Sequence, residues 1–367
     1  MEIEMYLNRI RHIQERLSLQ EIGAQFFSAV SNFAYLLGVR PLGLERLLLL
    51  SIPGKGTPSL IVPKLSEAEF VDFVPHLQIS AWEDGEDPLM LVRAEVKQLP
   101  TDLPISLDHG VPARVVLDLL HAFPFLAVRI EENAINSLRV SKDASEIQLL
   151  QQAGAIADAA IAPAIEGCRS GRTELEIASI LIASLLQQGA EPDPPMPIVA
   201  SGPNGAMPHH RTGHRQLVEG DAVVIDFGGR LNHYYSDITR TIHLGEPDPE
   251  FLRVYDVVRT AHAKALAAIK PGIPLGELDI IARDHIARAG YGPYFNHRLG
   301  HGLGVDVHEE PYLLSSNREP LRTGMCFSIE PGVYLPGRFG VRIEDCVIVQ
   351  DTGPLLLTWF PTDLMVK

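Results

Sequence analysis

Residues 223–241 read VVIDFGGRLNHYYSDITRT, and the reading of this stretch decides the fold. It is apolar, β-rich and interrupted by glycines, with ten residues between its two acids, Asp226 and Asp237, which predicts a hairpin. A turn centred between Leu231 and Asn232 sets the two acids directly opposite on one face, with Cβ atoms about 5 Å apart. Val223, Val224, Ile225, Ile238 and Ile242 make this a buried sheet. Two carboxylates so close repel there unless a cation lies between them or one keeps its proton. A divalent cation resolves the conflict.

Further along, the pattern recurs. Phe327-Ser-Ile-Glu330-Pro-Gly332 and Gly340-Val-Arg342-Ile-Glu344-Asp345 are two strand-like segments joined through a loop containing Gly and Pro, each with an acid inside an apolar run. Arg342 is close enough in sequence to neutralise Glu344. Between the two acidic regions lies Gly300-His301-Gly-Leu-Gly304-Val-Asp-Val-His308-Glu309, whose glycines allow close backbone packing while two imidazoles project nearby. Two Asp, two Glu and one of these imidazoles suffice for two metal ions bridged by carboxylates. Such oxygen-rich ligation favours Mn²⁺ or Co²⁺ over a thiolate-type zinc site. A single buried Asp on a strand is commonly a turn or cap partner, but that explanation does not extend to five such groups on repeated strands. Cys326 and Cys346 lie near Glu330 and Glu344, yet four residues of strand separate Cys326 from Glu330 by about 13 Å, so both read as small core residues.

The repetition extends to the helices. At a displacement of 101 residues Gly171 falls on Gly272, Glu176 on Glu277, Ile180 on Ile281 and Gly189 on Gly290. Each copy is preceded by a further long helix, residues 144–166 and 249–269, and followed by β-type sequence with acids. This order predicts a duplicated domain whose halves face one another across a pseudo-twofold axis. Capping boxes at Asp143-Ala-Ser-Glu146 and Thr173-Glu-Leu-Glu176 mark the starts of two helices. A polar stretch over 133–142 separates this region from an amino-terminal one, giving domains 1–140 and 141–367. In the first domain, runs at 47–52, 59–62, 77–81, 105–107 and 125–130 read as strands. Stretches at 66–74, 88–99 and 112–123 read as helices, so the fold class is a layered α/β arrangement. His76, His109 and His121 are scattered there without a constellation.

With 31 Lys and Arg against 46 Asp and Glu, the formal charge is −15, the wrong sign for a surface that tracks phosphates, so nucleic acid is not an expected partner. Residues 1–17 carry charges of both signs where a signal peptide needs an apolar core, and no apolar run is long enough for a membrane span. Three cysteines are too few for a disulfide framework, and cytoplasmic placement follows as an expectation.

Taken together, Asp226, the gap to Asp237, the run 300–309, Ile329-Glu-Pro-Gly332 and Val341-Arg-Ile-Glu-Asp345 resemble the pita-bread metallopeptidases, nearest to the Xaa-Pro dipeptidase (prolidase) and aminopeptidase P branch. The resemblance implies a creatinase-like amino-terminal domain followed by a duplicated pita-bread catalytic domain. It makes Asp226, Asp237, His301, Glu330 and Glu344 the ligands of two divalent ions per subunit, Mn²⁺ first, with Co²⁺ or Zn²⁺ as the other candidates. Thr239 and Arg342 support those ligands. Ser201-Gly-Pro-Asn-Gly-Ala-Met-Pro-His209 resembles the loop before the first metal strand, and His209, after Pro208, matches its substrate histidine, with the adjoining His210 as the alternative register. His308 matches the second such histidine. His214, His233 and His297 receive no role beyond support or surface.

The implied reaction is hydrolysis of the bond between an amino-terminal residue and proline, in Xaa-Pro dipeptides or short peptides, by a homodimer. Glu330 accepts the proton of the attacking water and returns it to the leaving nitrogen, His308 stabilises the oxyanion, and His209 positions the substrate. The amino-terminal domain restricts substrate length. Aminopeptidase P activity on longer Xaa-Pro peptides is the alternative, because Tyr312 follows Pro311 where some dipeptidases carry a carboxylate-binding arginine, and Arg318 lies six residues beyond. Non-catalytic pita-bread binding proteins and the metal-free creatine hydrolase typically lack some of the five ligands, all of which are present here.

Overall fold

The computed structural model describes residues 3–42, 45–192 and 194–367. Its contacts divide the chain into Met1–Leu138 and Arg139–Lys367, a mixed α/β architecture in both units. No helix of the described residues is long and apolar enough to cross a membrane.

The first unit is built on a six-stranded sheet. In spatial order its strands are Gln78–Trp82, Ser59–Pro63, Leu49–Pro53, Ala24–Phe27, Ile105–Leu107 and Val128–Ile130. The five expected strand runs all appear. The central strand, Ala24–Phe27, was not expected: four residues containing Gln25 give too short a run for periodicity to register. It is nonetheless fully buried, and the Gln25 amide N–H₂ donates to the Glu131 carbonyl at 3.0 Å, while the amide oxygen is buried without a hydrogen-bond partner among the described residues. Ahead of it lies an amphipathic helix, Ile3–Leu19, which buries Tyr6, Ile10, Ile13 and Leu17. The helix expected over 66–74 is a 3₁₀ segment, Lys64–Phe73, broken at Phe70, whose φ of −112° and ψ of 15° are not helical.

In the second unit the duplication is visible in the helix bounds. Glu174–Gln187 and Leu275–Arg288 are each 14 residues long at the 101-residue displacement. Gly171 and Gly272, with φ of +91° and +90°, precede them, and Gly189 and Gly290 follow at +97° and +90°. The preceding long helices are Ala144–Gly167, opened by the Asp143 capping box, and Pro249–Ala267. Each half has its own apolar core. One gathers Ala157, Ile161, Leu181, Val223, Ile225, Ile238 and Ile242, the other Val254, Val258, Leu278, Ala282, Phe327, Ile329 and Val347.

The hairpin that decides the fold is present with a different centre. Ala222–Phe227 pairs antiparallel with Ile238–His243, matching Phe227 to Ile238 and Asp226 to Thr239. An inner ladder pairs Arg230 with Tyr235 and Leu231 with Tyr234. The turn therefore centres between Asn232 and His233, whose φ values of 45° and 75° are those of a primed two-residue turn, one residue later than expected. Asp226 consequently faces Thr239, and Asp237 is its diagonal neighbour at a typical distance of about 7–8 Å, still on the same face. A one-residue move of the centre shifts the partner by two, which preserves the face.

Between the outer and inner ladders, residues 228–229 face 236–237. A Cβ on Gly228 would lie 1.8 Å from the Ser236 carbonyl oxygen, so only glycine lets the strands pass. Gly228→Ala is expected to lower stability by about 1–3 kcal/mol through overpacking, seen as a lower urea midpoint; an unchanged midpoint contradicts this packing.

Candidate metal centre and substrate cavity

The second hairpin repeats the interrupted design. Cys326–Ile329 pairs with Asp345–Gln350, ending at Ile329 opposite Asp345. The inner pair Gly332–Leu335 with Phe339–Arg342 resumes at Gly332 opposite Arg342. Glu330 and Glu344 occupy the interruption, as Asp237 does in the first hairpin. Carboxylates emerge where the backbone ladder lets go.

The two hairpins join at a seam. Glu344 donates its N–H to the Thr239 carbonyl at 3.1 Å, and the Thr239 hydroxyl donates to Glu344 Oε2 at 2.6 Å. One step along, Arg342 N–H donates to Thr241 Oγ1 at 3.1 Å, and that hydroxyl donates to the Arg342 carbonyl at 2.9 Å. Asp226, Asp237, Glu330 and Glu344 are thereby brought to one cavity of about 490 Å³, which His209, His301, His308 and Arg342 also line. Thr239 is buried behind it.

Ligand atoms of Asp237, His301 and Glu344 lie within 4.8 Å of one another, and all three residues are buried. His301 Nε2 is 3.3 Å from Glu330 Oε1 and 3.8 Å from Asp237 Oδ2. Its Nδ1 faces the Gly302 carbonyl at 3.1 Å, which makes Nδ1 the protonated nitrogen and leaves the Nε2 lone pair facing the acids. Burial, and secondly the charge of His308, depress the imidazole to about 3, so this ring is neutral and competent as a ligand. Ser328 ties the strands together, accepting from His301 N–H and donating to Glu330 Oε1, both at 3.1 Å.

The electrostatics follow from crowding. Burial, then the charges of Asp226 and Glu330, raise the Asp237 carboxyl well above its ordinary range. Burial, then Asp237 and Glu330, do the same to Glu344. Glu330 is pushed up to about 7, chiefly by burial. Arg342 bonds Asp226 Oδ2 and is not the partner of Glu344; its Nε donates to Thr239 Oγ1 at 3.2 Å and its Nη1 to the Tyr334 hydroxyl at 2.9 Å. The Cys326 thiol is buried in its strand and pushed up to about 12; Cys346 is buried likewise.

His209 and His308 are exposed into the cavity, the latter with its ring 4.1 Å from that of His301, edge to face. His210 points elsewhere, its Nε2 lying 2.8 Å from Glu174 Oε2. Sequence reasoning missed His297, Arg298 and Tyr334. His297 lines the cavity, with Nδ1 2.7 Å from the Arg298 carbonyl and Nε2 2.9 Å from the Tyr334 hydroxyl. Burial, then the charge of Arg342, depress it to about 4. No periodic signal marks a loop residue of this kind. Arg298 also lines the cavity, its guanidinium 4.4 Å above the Tyr312 ring.

The sequence pattern of Metallopeptidase family M24 matches residues 148–351, and that of the Creatinase/Prolidase N-terminal domain matches 9–141. A Mycobacterium tuberculosis protein named "Probable dipeptidase PepE" is 39% identical over 339 residues, 91% of this chain and 89% of that one. The structure of a recombinant prolidase from Thermococcus sibiricus is similar at a TM-score of 0.95 and 38% identity, covering 100% of each chain. That of an Xaa-Pro dipeptidase from Bacillus anthracis is similar at 0.89 and 28%, covering 99% of this chain and 100% of its own.

Proposed function

The chain belongs to metallopeptidase family M24, and from that premise we propose that it hydrolyses the peptide bond between an amino-terminal residue and proline, using two divalent ions held by Asp226, Asp237, His301, Glu330 and Glu344. One observation carries the reading: the buried Asp237–His301–Glu344 group, with an imidazole lone pair turned toward crowded acids whose mutual repulsion bound cations relieve. The donor set fits hard divalent ions, Mn²⁺ foremost, since four of five groups are carboxylates and the nearby thiols are buried and protonated. Bound ions supply Lewis acidity and make water nucleophilic near neutral pH.

The side chains divide the remaining work. Glu330, whose carboxylate lines the cavity, takes a proton from the attacking water and returns it to the leaving nitrogen. His308, exposed into the cavity, donates to the oxyanion, and His209 positions the substrate. Thr239 fixes Glu344, and Arg342 fixes Asp226 while leaving its second oxygen free of that bond. Arg298 favours dipeptides over longer peptides. Among the described residues it forms no ion pair, so a half-buried cation in the cavity is available to a substrate's free carboxylate, although Tyr312 stands where an arginine was sought.

Proline has no amide N–H to be read, so selection rests on fitting the ring and on leaving a donor unsatisfied in its place. Ala-Pro is expected to be cleaved, Ala-Ala poorly, and amino-acetylated Ala-Pro to be resisted, because the acidic site suits a free α-amino group. Ala-Pro amide should lose efficiency relative to Ala-Pro in the wild type and much less so in Arg298→Gln. Steady-state rates with Mn²⁺ check this, and equal rates on all four substrates refute the Xaa-Pro assignment.

A further inference from the structure

Glu174 opens the helix Glu174–Gln187, has no exposed side-chain surface, and does not line the cavity. Its carboxylate nevertheless collects five donors. Oε1 accepts from Ser201 N–H and Oγ–H, both at 2.8 Å, and from the Asn204 amide at 2.9 Å. Oε2 faces His210 Nε2 at 2.8 Å and accepts from Gly213 N–H at 3.3 Å. All five come from residues 201–213, the loop that brings Pro208 and His209 to the cavity. Burial alone would raise the carboxyl, but these donors hold it below its ordinary value, so the loop hangs on a charged anchor. His210 N–H also closes a turn onto the Met207 carbonyl at 3.1 Å. With the His210 ring tied back to Glu174, that turn presents Pro208 and His209 on its other side.

We infer that Glu174, acting through His210, is a positioning residue that holds His209 in the substrate cavity. The inference rests on the substrate role proposed above for His209. Neither Glu174 nor His210 touches substrate. Replacing the carboxylate by an amide leaves some of the five donors opposed by an N–H₂ group, and the turn carrying His209 loses its fixed orientation.

The test is a double-mutant cycle on the full-length, Mn²⁺-loaded protein with Ala-Pro as substrate, with metal content measured for every variant. Glu174→Gln and His210→Ala are each expected to lower kcat/KM by about 10–100-fold with metal content unchanged, whereas His210→Gln, whose amide N–H still reaches Glu174, stays within about threefold of wild type. In a His209→Ala background, Glu174→Gln or His210→Ala should add less than about twofold, because the group being positioned is gone. Equal factors in both backgrounds, or metal lost in step with activity, overturn the inference alone. A His209→Ala enzyme with wild-type turnover overturns the role of His209 and the inference together. Should Glu174→Gln fail to fold, the His210→Ala arm of the cycle gives the same decision.

Discussion

Asp237→Asn is expected to abolish turnover by preventing metal from binding, and at the same time to make the chelator-treated protein at least as stable as the wild type at pH 7. Asp237 is buried, and its carboxyl is raised well above its ordinary range, first by burial and then by Asp226 and Glu330. An acid whose folded pKa lies above its unfolded value binds more protons in the folded state, so stability falls as pH rises past the unfolded value of about 4 and the loss is complete above the folded pKa. The amide removes that penalty and with it an oxygen anion that the cations need. Below about pH 3, where the carboxyl is largely protonated in both states, the two proteins should differ little. Thermal melts with and without Mn²⁺, together with metal analysis, check both halves: added Mn²⁺ should raise the wild-type Tm and leave the variant unmoved. Glu344→Gln should behave alike. Two bound metals with normal turnover in either variant refute the ligand set.

His308→Ala is expected to keep both metals and to lose on the order of 10²-fold or more in kcat, the scale of a lost oxyanion donor. The ring is exposed into the cavity and packs edge to face on His301, 4.1 Å away, without belonging to the buried three-residue group. Its imidazole is shifted down by burial and secondly by Arg298, so near neutral pH the ring is neutral, the state that the proposed N–H donor role requires. Single-turnover rates at saturating Ala-Pro, with metal content in parallel, separate this role from ligation. Loss of metal in His308→Ala places His308 among the ligands and removes His301 from its assigned place.

What was legible in the sequence was the periodic and the repeated. The apolar runs around Asp226 and Asp237, the capping boxes at Asp143 and Thr173, and the helices displaced by 101 residues follow from local rules of spacing and capping. The turn was misplaced by one residue because Asn232 and His233, not glycines, supply its two positive φ angles. Arg342 was expected to support the acids, with its sequence neighbour Glu344 as the partner that spacing alone offered; its guanidinium reaches across the seam to Asp226, a partner that only tertiary structure supplies. His297 and Tyr334 meet through tertiary structure alone, 37 residues apart, and nothing local announces such a pair. The buried strand Ala24–Phe27 was missed for the opposite reason: it is too short to carry a pattern, and its place in the sheet is set by Leu49–Pro53 and Ile105–Leu107 on either side.

The interrupted hairpins also determine where this chain can change length. Each acid is placed by the outer ladder, whose last pairs are Phe227 with Ile238 and Ile329 with Asp345. The tips beyond, at Asn232–His233 and between Leu335 and Phe339, hold nothing that lines the cavity. Residues added at a tip are absorbed as a longer loop, at an entropic cost that grows only slowly with length. One residue added inside a ladder turns every later side chain to the other face. Evolution and protein engineering are thus free to graft segments onto two points of the rim, while the strand stems a few residues away tolerate none.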